Sequence, residues 1–168
     1  MKVLVTGASG FLGSRLVEVL VEKQYTVKAL VRQQSNRQHL DKLPVEVVVG
    51  DLGDKSSLEG VLDGVDAVIH AGATTFGTFE EQKRGTIEGT SYMLDLAEKA
   101  GVKKFIHISS LTVYDINNVP RNALINESYP IEPNPERVGP YAFTKTESEK
   151  RVHAFMEKSA MPITNVRP

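Results

Sequence analysis

A tyrosine and a lysine stand four positions apart in the segment YAFTK, at the start of a predicted helix over residues 140–160. At that spacing Tyr141 and Lys145 lie one helical turn apart on one face, which brings the ammonium group close to the phenol. A nearby positive charge favours phenolate and lowers the tyrosine pKa, which is about 10 when unperturbed. A tyrosine tuned in this way can pass a proton to or from a carbinol oxygen near neutral pH.

Two serines complete this group of reactive side chains. Ser109 and Ser110 end the predicted strand 103–110, and open α/β sheets build their sites outside the carboxyl ends of their strands. A serine hydroxyl there could hold a substrate oxygen while a hydride leaves the adjacent carbon. The combination predicts hydride transfer at an alcohol or a ketone.

The segment VTGASGFLG predicts a dinucleotide-binding turn between the first strand and the first helix. Gly7 lets the chain turn sharply, Gly10 lets the backbone approach a pyrophosphate, and Gly13 lets the helix pack close to the strand. The backbone N–H groups near Phe11 and Leu12 would face the phosphates, assisted by the helix dipole.

The end of the second predicted strand bears on the choice between NADP and NAD. An acidic residue that binds the ribose is expected about 20 residues after the glycine turn, but the sequence there reads ALVRQQSN. Arg32 could instead bind the 2′-phosphate of NADP through charge-assisted hydrogen bonds. We therefore expect NADP, with NAD as the alternative if Arg32 is only a solvated side chain at a strand end.

Short apolar runs alternate with longer amphipathic segments along the chain. Near-continuous apolar strands are typical of a parallel sheet that is buried on both faces, and their alternation with helices predicts βαβ units. We predict an α/β fold: a doubly wound parallel sheet of the NAD(P)-binding Rossmann type with six strands, in one domain over residues 1–168. The predicted strands are 2–6, 26–32, 45–50, 66–72, 103–110 and 162–167, and the main predicted helices are 11–24, 55–64, 80–101 and 140–160.

Composition excludes several other classes of function. The net charge of −1 indicates neither nucleic-acid nor anionic-membrane binding, and no stretch approaches the ~18 apolar residues of a membrane span. The chain has no cysteine, and its four histidines lack the spacing of metal ligands, so no metal site is predicted. We expect a cytoplasmic protein that acts on a small molecule.

The proline-rich segment 115–137 stands between the serines and the tyrosine. A connection of this length within a compact domain is usually functional or disordered. It could be a solvated excursion of the chain, or a lid that forms one wall of a substrate site.

Seven segments occur in the order and spacing of a known family. They are TGASGFLG, GDL (50–52), VIHAGA (68–73), IEGT (87–90), SSLTVY (109–114), YAFTK (141–145) and VRP (166–168). Together they resemble the extended short-chain dehydrogenase/reductase family, and within it the NAD(P)-dependent epimerase/dehydratase branch, which includes nucleotide-sugar epimerases. The resemblance covers the whole chain and is specific for fold and cofactor rather than for substrate.

The resemblance implies roles for the reactive side chains. Tyr141 would be the general acid/base, Lys145 would tune it and hold the nicotinamide ribose, and Ser110 would bind the substrate oxygen. Family dehydratases carry an Asp-Glu pair just after the catalytic hydroxyl residue, whereas this sequence has Leu111 and Thr112 there. This difference argues against a dehydratase.

The resemblance also implies cofactor contacts beyond the glycine turn. Asp51 and Leu52 would border the adenine, and Ala71 and Ala73 would line the cofactor along the fourth strand. Thr86 stands where the family usually has an asparagine, so the resemblance gives no role for that position.

Three functions are compatible with these observations. The first is an NAD(P)-dependent oxidoreductase or epimerase that transfers hydride at a secondary alcohol or ketone, plausibly of a nucleotide sugar. The second is an NADPH-dependent carbonyl reductase with a small non-sugar substrate. The third, disfavoured because Tyr141 and Lys145 are both present, is a protein that binds or senses NADP without turnover.

The last segment, MPITNVRP, is similar to the sixth strand of the family's cofactor sheet and the following Arg-Pro. In the family the chain continues there into a smaller domain that closes over the substrate. We therefore expect this chain to be the N-terminal part of a longer protein, with weak dinucleotide binding and little turnover by itself. Relatives often form homodimers through the helices that correspond to 80–101 and 140–160.

Overall fold

The computed structural model describes residues 1–168 apart from the side chain of Asn117. The strands are β1 (Lys2–Thr6), β2 (Thr26–Val31), β3 (Glu46–Val49), β4 (Ala67–His70), β5 (Lys104–Ile108) and β6 (Ile163–Val166). Among the described residues they form one parallel sheet in the order β3-β2-β1-β4-β5-β6. The order reverses between β1 and β4, which confirms the predicted doubly wound sheet of the Rossmann type.

The sheet is buried on both faces because successive strand residues point to opposite sides. In β1, Val3 and Val5 pack with Val17 in one apolar cluster, and Leu4 packs with Met93 in a second cluster on the other face. The apolar runs of the sequence are therefore strands between two layers of helices.

Five α-helical segments flank the sheet. They are α1 (Phe11–Glu22), α2 (Phe79–Gln82), α3 (Gly89–Lys99), α4 (Pro135–Val138) and α5 (Pro140–Met156). The cluster on one face contains Val17 of α1, and the cluster on the other face contains Met93 of α3 and Val152 of α5. Among the described residues, no helix combines the length and the apolar character that a membrane crossing would require.

The predicted helix over 80–101 forms from Phe79 to Lys99, but it is not α-helical throughout. The chain forms α2, then a π-helical turn at Lys83–Glu88, and then α3. The two glycines in this stretch allow close packing: a Cβ at Gly85 would lie 2.0 Å from Thr74 Oγ1, and a Cβ at Gly89 would lie 2.8 Å from the backbone oxygen of Leu52. Tertiary contact with the loop after β4 therefore decides the local structure, and π-turns of this kind are frequent at functional sites.

The predicted helix over 55–64 is wrong, since only a 3₁₀ turn forms at Lys55–Leu58. Gly60 and Gly64 both adopt a positive φ, which ends regular helix there.

The segment 115–137 is attached to the rest of the chain at several points. Tyr114 and Ile131 form an antiparallel bridge, Asp115 N donates to Pro130 O, and Glu132 N donates to Val113 O. These contacts close the segment into a loop whose two ends lie side by side, and α4 then leads directly into α5.

Candidate active site

The turn between β1 and α1 is built from glycine backbone. Gly7 has a φ of 67°, and its carbonyl oxygen accepts a hydrogen bond of 2.9 Å from Gly10 N. A Cβ at Gly13 would lie 2.0 Å from the same oxygen, so helix α1 can approach the turn only because residue 13 is glycine. The N–H groups in the first turn of α1 have no partner within the helix and can bind an anion.

A groove of about 250 Å³ opens beside this turn, along the carboxyl ends of the first four strands. Its lining residues are Gly7, Ser9, Gly10, Leu30, Val31, Arg32, Ser35, Gly50, Asp51, Leu52, Ala71, Gly72, Ala73, Thr74, Thr75 and Phe76. An elongated groove that crosses several strand ends and starts at bare glycine backbone fits a dinucleotide.

The groove contains most of the predicted cofactor residues but not all of them. Gly7, Gly10, Arg32, Asp51, Leu52, Ala71 and Ala73 lie in its lining, whereas Phe11, Leu12, Gly13, Tyr141 and Lys145 do not. Phe11 and Leu12 lie beside it at the start of α1, and the Phe11 side chain is 99% exposed. Gly13 is buried against the turn, so its contribution is to packing. Asp51 accepts a hydrogen bond from Gly53 N at 2.8 Å, which fixes its carboxylate within its own turn.

A chain of buried hydrogen bonds lies beneath the groove. His70 Nδ1 is 2.9 Å from Thr6 Oγ1, and His70 Nε2 is 3.1 Å from Thr90 Oγ1. Thr90 donates its hydroxyl proton to Thr86 O, so it must accept from His70 Nε2. Thr6 Oγ1 accepts from Gly72 N and is left to donate to Nδ1. The network therefore assigns a neutral His70 with its proton on Nε2.

Thr86, for which sequence reasoning gave no role, holds the wall of the groove. Its hydroxyl accepts from Thr74 N at 3.0 Å and contacts Thr74 O at 3.3 Å. Together with Thr6 and His70, it ties the loop after β4 to the glycine turn and to the π-helical turn. The sequence offered no signal for this contact, because the partner of Thr86 is backbone.

Lys145 is buried on α5, and its Nζ donates to Ile108 O at 2.8 Å at the end of β5. Burial lowers the pKa of Lys145 to about 8, against an opposing effect of the carboxylate of Glu149. Tyr141 stands one turn earlier in α5, and its side chain is 38% exposed. The structure thus holds the lysine rigidly and leaves the tyrosine accessible.

The two serines have different hydrogen-bonding roles. Ser109 is buried and donates its hydroxyl proton to Glu149 Oε2 at 2.5 Å. Ser110 Oγ instead accepts from Thr112 N at 3.2 Å and from Thr112 Oγ1 at 3.0 Å, which leaves its own proton to donate. Ser110 is therefore the serine that can donate to a substrate oxygen.

The fold and the glycine turn define a dinucleotide-binding domain of the short-chain dehydrogenase/reductase type. The profile of the NAD dependent epimerase/dehydratase family matches residues 3–168. The chain belongs to this family, as its sequence motifs predicted.

Individual relatives span several activities. The chain is 37% identical to sterol demethylase protein B of Methylococcus capsulatus, over 90% of this chain and 46% of the relative. It is 30% identical to UDP-glucose 4-epimerase of Vibrio cholerae, over 99% of this chain and 50% of the relative. Further relatives of similar identity are named as reductases.

Solved structures with bound NAD are among those that match the chain. A short-chain dehydrogenase/reductase superfamily protein from Agrobacterium tumefaciens with bound NAD matches with a TM-score of 0.83 and 31% identity, over 99% of this chain and 48% of that chain. This similarity supports a nicotinamide cofactor. The chain spans about half the length of the relatives that it matches.

Proposed function

We propose that residues 1–168 form the NADP-binding domain of an oxidoreductase that transfers hydride at a secondary alcohol or ketone. The observation that supports this most directly is the arrangement around α5. A buried ammonium group is fixed to Ile108 O one turn from an accessible tyrosine, and the neighbouring Ser110 retains a free hydroxyl proton.

The chain's own residues perform the proton chemistry in this proposal. When bound, the nicotinamide supplies or accepts the hydride. Tyr141 gives a proton to the carbonyl oxygen, or takes it from the alcohol, and Lys145 stabilises the phenolate. Ser110 donates a hydrogen bond to the same substrate oxygen and so orients the reacting carbon.

We propose a carbonyl reductase with a non-sugar substrate in preference to a nucleotide-sugar epimerase. Leu111 directly follows Ser110 and is 50% exposed, so an apolar residue is accessible next to the serine. Several relatives are also named as reductases. Epimerisation of UDP-glucose is the second candidate, because a UDP-glucose 4-epimerase is among the relatives.

The function is tested by replacing the tyrosine. In the longer protein of which residues 1–168 are expected to be the N-terminal part, with NADPH and ethyl acetoacetate as probes, Tyr141→Phe should lower turnover by about 10²-fold or more, the usual contribution of a positioned acid/base. NADPH affinity, followed by nicotinamide fluorescence, should stay within about twofold. Tyr25→Phe, just before β2 at the amino ends of the strands, is the matched control.

The outcomes separate the candidates. Equal turnover in Tyr141→Phe and Tyr25→Phe would remove Tyr141 from the mechanism. In that longer protein, dinucleotide binding without turnover of either the probe ketone or UDP-glucose would favour a non-catalytic sensor. Activity with UDP-glucose alone would favour the epimerase.

The preference for NADP rests on Arg32 and Ser35, which both line the groove at the end of β2. Arg32 O accepts a hydrogen bond of 3.0 Å from Ser35 N, so the two residues belong to one backbone turn. A guanidinium and a hydroxyl suit a 2′-phosphate, and hydrogen bonds to charged groups contribute about 1.5–3 kcal/mol, or roughly 10- to 100-fold in affinity.

Arg32→Ala should therefore weaken NADPH binding about 10- to 100-fold and leave NADH binding nearly unchanged. Arg37→Ala, whose side chain lies 3.8 Å from Asp41 outside the groove lining, is the control. Wild-type protein that binds NADH as tightly as NADPH would contradict the preference.

We also propose homodimerisation through α3 and α5. Partly buried apolar side chains of these helices, Tyr92, Leu96 and Phe155, extend the apolar cluster toward the surface. Sedimentation of the chain as a monomer at all concentrations would count against this assembly.

A further inference from the structure

Glu149 is a buried carboxylate that the proposed proton chemistry does not use. It lies on α5 one turn after Lys145, and the residue is 3% exposed. Ser109 Oγ donates to its Oε2 at 2.5 Å, and Arg167, just after β6, donates to it through Nε at 3.0 Å and through Nη2. A buried charge is tolerated when it is paired and hydrogen-bonded in this way.

Arg167 extends this group of contacts to the segment that follows Ser110. Its Nη1 donates to Tyr114 Oη at 2.6 Å, and its guanidinium lies 4.7 Å from the centre of the Tyr114 ring. The carboxylate of Glu149 therefore connects α5, the end of β5, the end of β6 and the turn that carries Ser110.

The contacts of Lys145 and Glu149 attach α5 to β5 at two adjacent points. Lys145 donates to Ile108 O, and Glu149 accepts from Ser109, the next residue along the chain. The two helix residues are one turn apart, so together they fix both the axial position and the rotation of α5. Tyr141 lies one turn earlier on the helix, and Ser110 follows Ser109.

We propose that Glu149 is a positioning residue of the candidate active site, which sets the placement of Ser110, Tyr141 and Lys145 through its bonds to Ser109 and Arg167. The proposal rests on the proposed function for its catalytic consequence. Its structural and electrostatic consequence can be measured without turnover.

The groups around Lys145 show why the loss of Glu149 should change the Lys145 pKa. His70 from β4 and His107 from β5 face it, and burial keeps both rings neutral above about pH 3. Arg167 lies beyond β6 and is paired with Glu149. Glu149 supplies the negative charge that opposes the lowering of the Lys145 pKa.

Glu149→Gln should therefore lower the Lys145 pKa below about 8. The measurement is a pH titration of the lysine Cε resonances in ¹³C-lysine-labelled protein, with Lys145→Arg used for assignment. Glu147→Gln is the control, because Glu147 lies on the same helix but pairs with the exposed Lys150. An equal Lys145 pKa in the two variants would overturn the proposal.

Two further variants keep the test decisive. If Glu149→Gln does not fold, the double variant Glu149→Gln/Arg167→Met removes both charges of the pair and carries the same titration. Ser109→Ala should lower kcat by about 10- to 100-fold with KM unchanged in the NADPH and ethyl acetoacetate assay, since small misplacements of reacting groups are costly.

These readouts separate the two proposals. A shifted Lys145 titration, without turnover of any probe by the wild-type longer protein, would count against the proposed function alone. Wild-type kcat in Ser109→Ala, in a chain that does turn over, would overturn the positioning role.

Discussion

The two stacked histidines beneath the site should make the protein sensitive to mild acid. His70 and His107 lie side by side on β4 and β5, with ring centres 5.7 Å apart. Burial, with a smaller contribution from the charge of Lys145, lowers the pKa of His70 to about 3 and that of His107 to about 2. In the unfolded chain a histidine has a pKa of about 6.5.

The sign follows from where the protons bind. Below about pH 6.5 His70 and His107 bind protons in the unfolded chain but stay neutral in the folded chain. The free energy of unfolding therefore falls as the pH falls toward the folded pKa values. Each pKa unit corresponds to about 1.4 kcal/mol, so from pH 7 to pH 5 each histidine should remove about 2 kcal/mol. The pair should therefore remove about 4 kcal/mol from the free energy of unfolding.

Urea unfolding at several pH values between 5 and 7 measures this loss. His107→Phe roughly keeps the side-chain volume and removes one of the two titrating groups. The free energy of unfolding of this variant should therefore fall by only about 2 kcal/mol between pH 7 and pH 5. Neither ring nitrogen of His107 has a hydrogen-bond partner among the described residues, so the variant should be at least as stable as the wild type at pH 7.

Asp66→Asn is the control for the pH range from 5 to 7. Asp66 accepts hydrogen bonds from Lys103 and from Lys2 N, which lower its pKa. Unfolded carboxyl groups protonate near pH 4, so Asp66→Asn should lower stability without changing its slope between pH 5 and pH 7. A wild-type slope equal to that of His107→Phe would refute the reasoning.

Two substitutions test the packing that shapes the groove. Gly13→Ala would place a Cβ 2.0 Å from Gly7 O. It should therefore destabilise the fold by about 1–3 kcal/mol, measured by urea unfolding, and weaken NADPH binding at least tenfold, measured by fluorescence titration. Gly53→Ala, whose Cβ would have its nearest contacts at 3.4 Å, is the control for both measurements. Thr86→Val should cost about 1–3 kcal/mol, because it leaves the backbone of Thr74 unpaired, and unchanged stability would mean that the Thr74 contact contributes nothing.

The layered sheet could be predicted from the sequence because its signals are local. In β1, Val3, Leu4 and Val5 are apolar in succession, and a strand of this kind requires cover on both faces. The glycine turn is equally local. The π-helical turn could not be predicted, because Gly85 and Gly89 act through contacts with Thr74 and Leu52, which lie elsewhere in the chain.

The site could be predicted only in part, for the same reason. The spacing of Tyr141 and Lys145 is visible within a single helical turn. The difference between Ser109 and Ser110 is implied by the family resemblance but not by the residues themselves, since it depends on Glu149, forty positions after Ser109. The neighbouring sequence does not distinguish a serine that is hydrogen-bonded within the fold from a serine whose hydroxyl proton is free to bind a substrate oxygen.

The acid-sensitive histidines and the positioning carboxylate belong to one electrostatic arrangement. A proton on His70 would add a second positive charge next to Lys145, in a region from which water is excluded. The Nε2 tautomer that accepts from Thr6 and donates to Thr90 keeps His70 neutral. Glu149 then opposes the remaining cost of burying the ammonium group. Neutral histidines and a paired carboxylate therefore both favour the protonated form of Lys145 near neutral pH, the form that the role proposed for Tyr141 requires.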